Sequence, residues 1–93
     1  MRSDIPIADQ IVQVGHVCCE AGLRFNASPD TYMVLCRVDS EEELLEAEMR
    51  INDSGVETHK FFEPDDDLGF TALCSQPVKG KERNIFRKYK LWT

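Results

Sequence analysis

Ninety-three residues, 42% hydrophobic and 30% charged, suffice for one modest core in a single domain over residues 1–93. They exclude a disordered chain and a two-core protein. No apolar run approaches the roughly 20 residues that span a bilayer, and "MRSDIPIADQ" has no signal-peptide core; no membrane partner is expected, and the cytoplasm is the expected compartment.

"SDIPIADQIVQVGHVCCEAG", Ser3 to Gly22, reads as a helix. Pro6 suits a first turn, Ser3 or Asp4 could cap it, and Gly22 is the expected stop. Ile7, Ile11, Val14, Cys18 and Ala21 recur every three or four residues as the predicted inner stripe, widened by Ala8, Val12 and Cys19. Asp9, Gln13, His16 and Glu20 share a second, polar stripe, which could be the wall of a site or a solvated face. Only Met1 to Ser3 precede this helix. A strand that ordinarily opens a strand–helix–strand unit is therefore either missing from the sheet or upstream of this start.

"TYMVLCRV", Thr31 to Val38, predicts a strand buried on both faces. "DSEEELLEAEMRINDSG" follows as a helix. Ser40 and Glu43 form a capping box, Leu44, Ala47 and Ile51 with Leu45 and Met49 form the inner face, and Asp53-Ser54-Gly55 closes it. "VETHKFF" alternates as a half-exposed strand, "EPDDDLG" is a turn or loop, and "FTALCSQ" is another strand. The remainder begins as a loop, has room for a short helix and ends in an extended "KYKLW". Helices and about four strands predict an α/β architecture with a mixed β-sheet flanked by helices.

The net charge of −6 disfavours a polyanionic partner for the chain as a whole, but the charge is unevenly spread. Segment 79–93 carries six cations (Lys79, Lys81, Arg83, Arg87, Lys88 and Lys90) against Glu82, a local charge of +5 that leaves −11 for the rest. Such an end can be a solvated tail or a local dock for phosphates. Phe86, Tyr89 and Trp92 within it could stack on bases, although anchoring the chain end is the commoner use of aromatics.

The four cysteines, Cys18, Cys19, Cys36 and Cys74, form no C-x-x-C pair and are read as reduced, small apolar residues. Cys19 is the helical neighbour of His16, but no third orienting group completes a nucleophilic site. Glu63 and Asp65 to Asp67 lack EF-hand spacing and are interrupted by Pro64, so no metal site is expected.

Four stretches, in order, resemble the type 2 peptidyl-tRNA hydrolase family, in particular its divergent branch of peptidyl-tRNA hydrolase domain-containing proteins. These are "RSDIPIADQIVQVGHV" with its Gln-x-x-His, "VDSEEELLEAEMRINDSGVETHKFF", "GFTALCSQP" and "FRKYKLW". The resemblance covers nearly the whole chain apart from a first strand. It implies a four-stranded mixed sheet with the first strand shortened or missing, and cofactor-free hydrolysis of the ester joining a peptide to tRNA.

Under that resemblance, Gln13 and His16 match the family's helix pair and Thr71 its strand threonine. Glu63 is the nearest candidate for the loop acid, with Asp65 second. The family's lysine positions fall on Ile7 and Asp9, so neither cation is present. An ester-hydrolysing site needs a donor for its oxyanion, and losing one typically costs about 10²–10³ in rate. Arg2 or a basic residue of the chain end, such as Arg87 or Lys88, could substitute in space or hold tRNA phosphates. The expectation is thus a peptidyl-tRNA hydrolase-like domain in which, if it is active, His16 or Glu63 activates water and Gln13 positions it. The alternative is a silent tRNA- or protein-binding module. A homodimer is a possible state, encouraged by the sheet edge that a missing strand would expose.

Overall fold

The computed structural model describes residues 1–92, so the last residue of the basic segment, Thr93, lies outside the described residues. Helix α1 spans Ile7–Phe25 and buries Gln10, Gln13, Val17 and Ala21. Its inner face is therefore rotated from the predicted apolar stripe. Val14 and Cys18 flank the core, while Ile7, Ile11 and Val12 are 63%, 62% and 53% exposed. Pro6 precedes the helix without a side-chain cap: Ser3 bonds Val38 and Asp39 instead, and Asp4 pairs with Arg2. Gly22 does not stop the helix. Asn26 does, in the left-handed region at φ 50°, a conformation its short polar side chain tolerates.

Helix α2, Glu41–Asp53, follows its pattern closely. The Ser40 side chain accepts from the Glu43 N–H at 3.1 Å, and Leu44, Ala47 and Ile51 are buried. Met49, expected inside, is 65% exposed. The chain leaves the helix through Ser54 and Gly55, the latter at φ 94°.

Four strands are present among the described residues: β1 (Cys36–Arg37), β2 (Thr58–Glu63), β3 (Gly69–Ser75) and β4 (Lys90–Leu91). They form two separate antiparallel pairs, β1–β4 and β2–β3, and not the single four-stranded sheet expected. The predicted strand over Thr31–Val38 shrinks to Cys36–Arg37, with one further parallel bridge from Val38 to Arg2. Tyr32, Met33 and Val34 are 96%, 65% and 66% exposed, because that run has no paired neighbour to bury it.

Met1 to Ser3 link the two pairs. Val38 N–H donates to Met1 O, Ser3 N–H to Val38 O, and Arg2 N–H to Thr71 O on β3. The stub thus occupies the position of a strand between β1 and β3. Its α-amino group donates to Cys36 O at 3.1 Å, and burial lowers its pKa.

The core has two parts, one on each side of the β2–β3 hairpin. Met1, Ile5, Val17 and Ala72 pack under α1 with Trp92 against them, and Ala47, Ile51 and Val56 pack under α2 with Phe86 and Tyr89. The three aromatics of the chain end are therefore core anchors. A short 3-10 turn, Asp65–Asp67, joins β2 to β3, and a 3-10 segment, Gly80–Phe86, leads to β4.

Candidate active site

Helix α1 runs across β2 and β3 with Gln13 over the end of the hairpin. Gln13 is 4% exposed and Thr71 is fully buried. The Thr71 hydroxyl donates to Gln13 Oε1 at 2.9 Å, and Gln13 Nε2 donates to Glu63 Oε2 at 3.0 Å. This chain fixes the amide's orientation: an ionised carboxylate only accepts, so nitrogen must face Glu63 and oxygen the hydroxyl. Residues distant in sequence are thereby joined by two bonds.

A β-bulge makes the arrangement possible. Phe61 pairs with Ala72, but Phe62 pairs with Phe70, so Thr71 is an extra residue on β3 without a partner on β2. In a regular strand Thr71 and Ala72 would face opposite sides. The bulge re-aims the threonine so that both reach the α1 side: Ala72 packs with Val17, and Thr71 bonds Gln13. The unpaired backbone is used as well, since Thr71 O takes the Arg2 N–H.

Glu63 ends β2. Its second oxygen accepts the Asp65 N–H at 3.1 Å, and these N–H donors, Gln13 first, hold its carboxyl below the usual carboxylate range. Asp65 therefore serves the site through its backbone. The loop is pinned from the other side: Glu41 at the start of α2 accepts the Phe70 N–H at 2.7 Å. Gly69 beside it has φ 74°, a backbone conformation that strains any side chain, and a Cβ there would also crowd the Glu41 carboxylate.

His16, one turn beyond Gln13, stacks flat on Phe61 with ring centroids 4.8 Å apart and planes 2° from parallel. His16 is exposed. Thr71, Gln13 and Glu63 thus form one hydrogen-bonded cluster, with His16 one turn further along α1 on the Phe61 ring.

The other candidates fall elsewhere. The Arg2 guanidinium pairs with Asp4 at 2.9 Å and donates to the carbonyls of Leu68 and Phe70, so it braces the β2–β3 loop. Arg87 is exposed, and Lys88 lines a groove on the α2 side. Of the rest of the polar stripe, Glu20 bonds His59 Nε2 at 2.7 Å, beside Arg24, which donates to Thr58 O. That end of the stripe fastens α1 to β2.

Two features lie outside the sequence expectations. Gln10 is buried, donates to Ile5 O and accepts from Trp92 Nε1 at 2.6 Å, tying the two chain ends together. Its position three residues before Gln13, on the same helical face, was a usable signal. The bulge at Thr71 left none.

Among the described residues no group of three or more His, Cys, Asp or Glu side chains is placed to hold a metal ion, and no helix is long and apolar enough to cross a membrane. Burial raises the Cys74 thiol to about 11 and also raises Cys36, which suits apolar packing more than nucleophilic work. No family model, curated protein or solved structure matches this chain.

Proposed function

We propose that the chain is a peptidyl-tRNA hydrolase-like domain that cleaves the ester between a peptide and the 3′ end of tRNA without a metal. The observation that carries this reading is the hydrogen-bonded chain Thr71–Gln13–Glu63 with His16 beside it. The type 2 arrangement with a shortened first strand is supported by the Met1–Ser3 stub between β1 and β3.

Glu63 already accepts two N–H bonds, which weakens it as a base. His16, with an exposed ring, takes the proton from the attacking water, and the Glu63 carboxylate stabilises the resulting imidazolium. Thr71 and Glu63 hold the Gln13 amide rigid. Its second N–H then serves as the donor to the developing oxyanion in place of the family's lysines.

The test is release of peptide from N-blocked aminoacyl-tRNA by wild type, Gln13→Ala, His16→Ala and Glu63→Gln. The reading requires turnover above background that each substitution reduces. A second reading, a silent binding module, is favoured by one observation: Ile7 and Asp9 hold the lysine positions, and Arg2 is committed to Asp4 and two carbonyls. It expects tRNA binding with no turnover by any variant. The exposed Tyr32, Met33 and Val34 are the surface on which either form would dimerise, and the molar mass in solution tests that.

A further inference from the structure

Phe70 precedes the unpaired Thr71 in the β3 bulge, and opposite charges hold its backbone from two directions. Its N–H donates to Glu41 Oε2 at 2.7 Å, and its carbonyl accepts from the Arg2 guanidinium at 3.1 Å. Bonds to ionised groups are roughly twice as strong as neutral ones. Arg2 also donates to Leu68 O and, through its own N–H, to Thr71 O at 3.1 Å, while Asp4 holds the guanidinium at 2.9 Å. The Phe70 ring is fixed as well, edge-on to Phe62 at 5.0 Å and under the Lys60 ammonium at 4.4 Å.

A bulge needs such support. Its extra residue has no ladder partner, and a one-residue slip of the strand turns the side chain to the other face. Thr71 would then turn away from Gln13, and the hydroxyl that fixes the amide through Oε1 would be lost. With only Glu63 left as its anchor, the Gln13 amide can rotate. It would then present an oxygen, an acceptor, where an oxyanion needs an N–H. The groups that oppose this slip lie outside the hairpin: Arg2 on the amino-terminal stub and Glu41 in the first turn of α2.

We propose that Glu41 is a positioning residue for the Gln13 amide, acting through the Phe70 N–H and Thr71 without touching substrate. Its effect on turnover rests on the hydrolase reading; its effect on the amide does not. A carboxylate in the first turn of a helix also has an ordinary use, a favourable interaction with the helix dipole, which Glu42 and Glu43 share. The two roles ask different things of the side chain. The dipole needs a negative charge, whereas the clamp needs an acceptor oxygen at the reach of a glutamate.

The experiment compares wild type with Glu41→Asp and Glu41→Gln in the full chain; circular dichroism establishes that each is folded. Aspartate keeps the charge and loses one methylene of reach, whereas glutamine keeps the reach and an acceptor oxygen and loses the charge. Release of peptide from N-blocked aminoacyl-tRNA gives kcat and KM. Heteronuclear NMR gives hydrogen exchange at the Gln13 side-chain amide, whose partners are Thr71 and Glu63 and not Glu41. Glu41→Asp should lower kcat by up to about 10²-fold with KM little changed, the cost of displacing by about 1 Å a group that acts only in the transition state. It should also speed exchange at the Gln13 amide. Glu41→Gln should be impaired less by both measures. Greater impairment in Glu41→Gln than in Glu41→Asp, or equal Gln13 exchange in all three proteins, overturns the proposal. Exchange in the expected order with no turnover by wild type keeps the clamp and removes the hydrolase; turnover with equal exchange does the reverse.

Discussion

Helix α2 buries Leu44, Ala47 and Ile51 and turns most of its glutamates outward, whereas α1 buries Gln10 and Gln13 and leaves Ile7 and Ile11 more than 60% exposed. Both helices are amphipathic, yet only one obeys its own apolar stripe. The difference lies in what the opposing surface offers. Against α2 stand Val56, Leu73 and Ile85, which reward apolar contact alone. Against α1 stand the Ile5 carbonyl, the Trp92 N–H, the Thr71 hydroxyl and the Glu63 carboxylate.

A buried amide left without partners costs about 1–3 kcal/mol per polar group, so α1 can present this face only because both glutamines are bonded. Local departures from patterning of this kind are where functional sites are expected.

The sharpest way to break the comparison is to make α1 obey its stripe. On the proposed hydrolase reading, Gln13→Leu should lower peptidyl-ester hydrolysis by about 10²–10³, the usual cost of a lost oxyanion donor. It should also destabilise the fold by about 1–3 kcal/mol, because the buried Thr71 hydroxyl loses its acceptor. Adding Thr71→Val should return stability and leave activity lost. Urea unfolding alongside the release assay separates the two effects, and a double variant that regains activity would remove Gln13 from the chemistry.

The next effect contrasts two isoleucines. Ile51→Ala on α2 should cost about 2–5 kcal/mol, as large-to-small changes in packed cores do. Ile11→Ala on α1 should stay within about 0.5 kcal/mol, since its side chain is mostly in water. Equal costs in urea titrations would mean that the Ile11 face is covered in solution, as by a second copy. Smaller again is Ser40→Ala, expected to cost about 1 kcal/mol because α2 depends on that cap. Ser3→Ala should leave the helix start of α1 unaffected, since Ser3 caps nothing there, and helix-resolved hydrogen exchange reads both.

How much of this was legible follows the same division. Ser40 with Glu43 and the 44, 47, 51 spacing are local signals, and α2 appeared with the cap and inner face they imply. The rotation of α1 depends on Glu63 and Trp92, 50 and 82 residues away from Gln13 and Gln10, which no window on the helix contains. The strand over Thr31–Val38 had the right composition, but a strand needs a neighbour, and only Cys36 to Val38 found one. Gln13, His16, Glu63 and Thr71 are expected from a resemblance, and the fold joins three of them, Thr71, Gln13 and Glu63, by hydrogen bonds. Arg2 was assigned to substrate from its charge, which does not reveal that Asp4, two residues on, would claim it.

The smallest expected effect sharpens the polar face through pH. The Glu63 carboxyl is held below the ordinary carboxylate range by the Gln13 N–H and then by the Asp65 backbone. A depressed carboxylate pKa stabilises the fold at pH values above the unfolded-state value, and that contribution disappears as pH falls through the lower folded-state value. The urea midpoints of wild type and Glu63→Gln should therefore differ most at neutral pH and converge on acidification. The same logic applies to catalysis: if Glu63 were the base, the acid limb of the rate profile would lie below the ordinary carboxylate range. A limb above that range removes Glu63 as the base. Midpoints that fail to converge in acid would place the Glu63 carboxylate free in solvent, and the Gln13 amide would then rest on Thr71 alone.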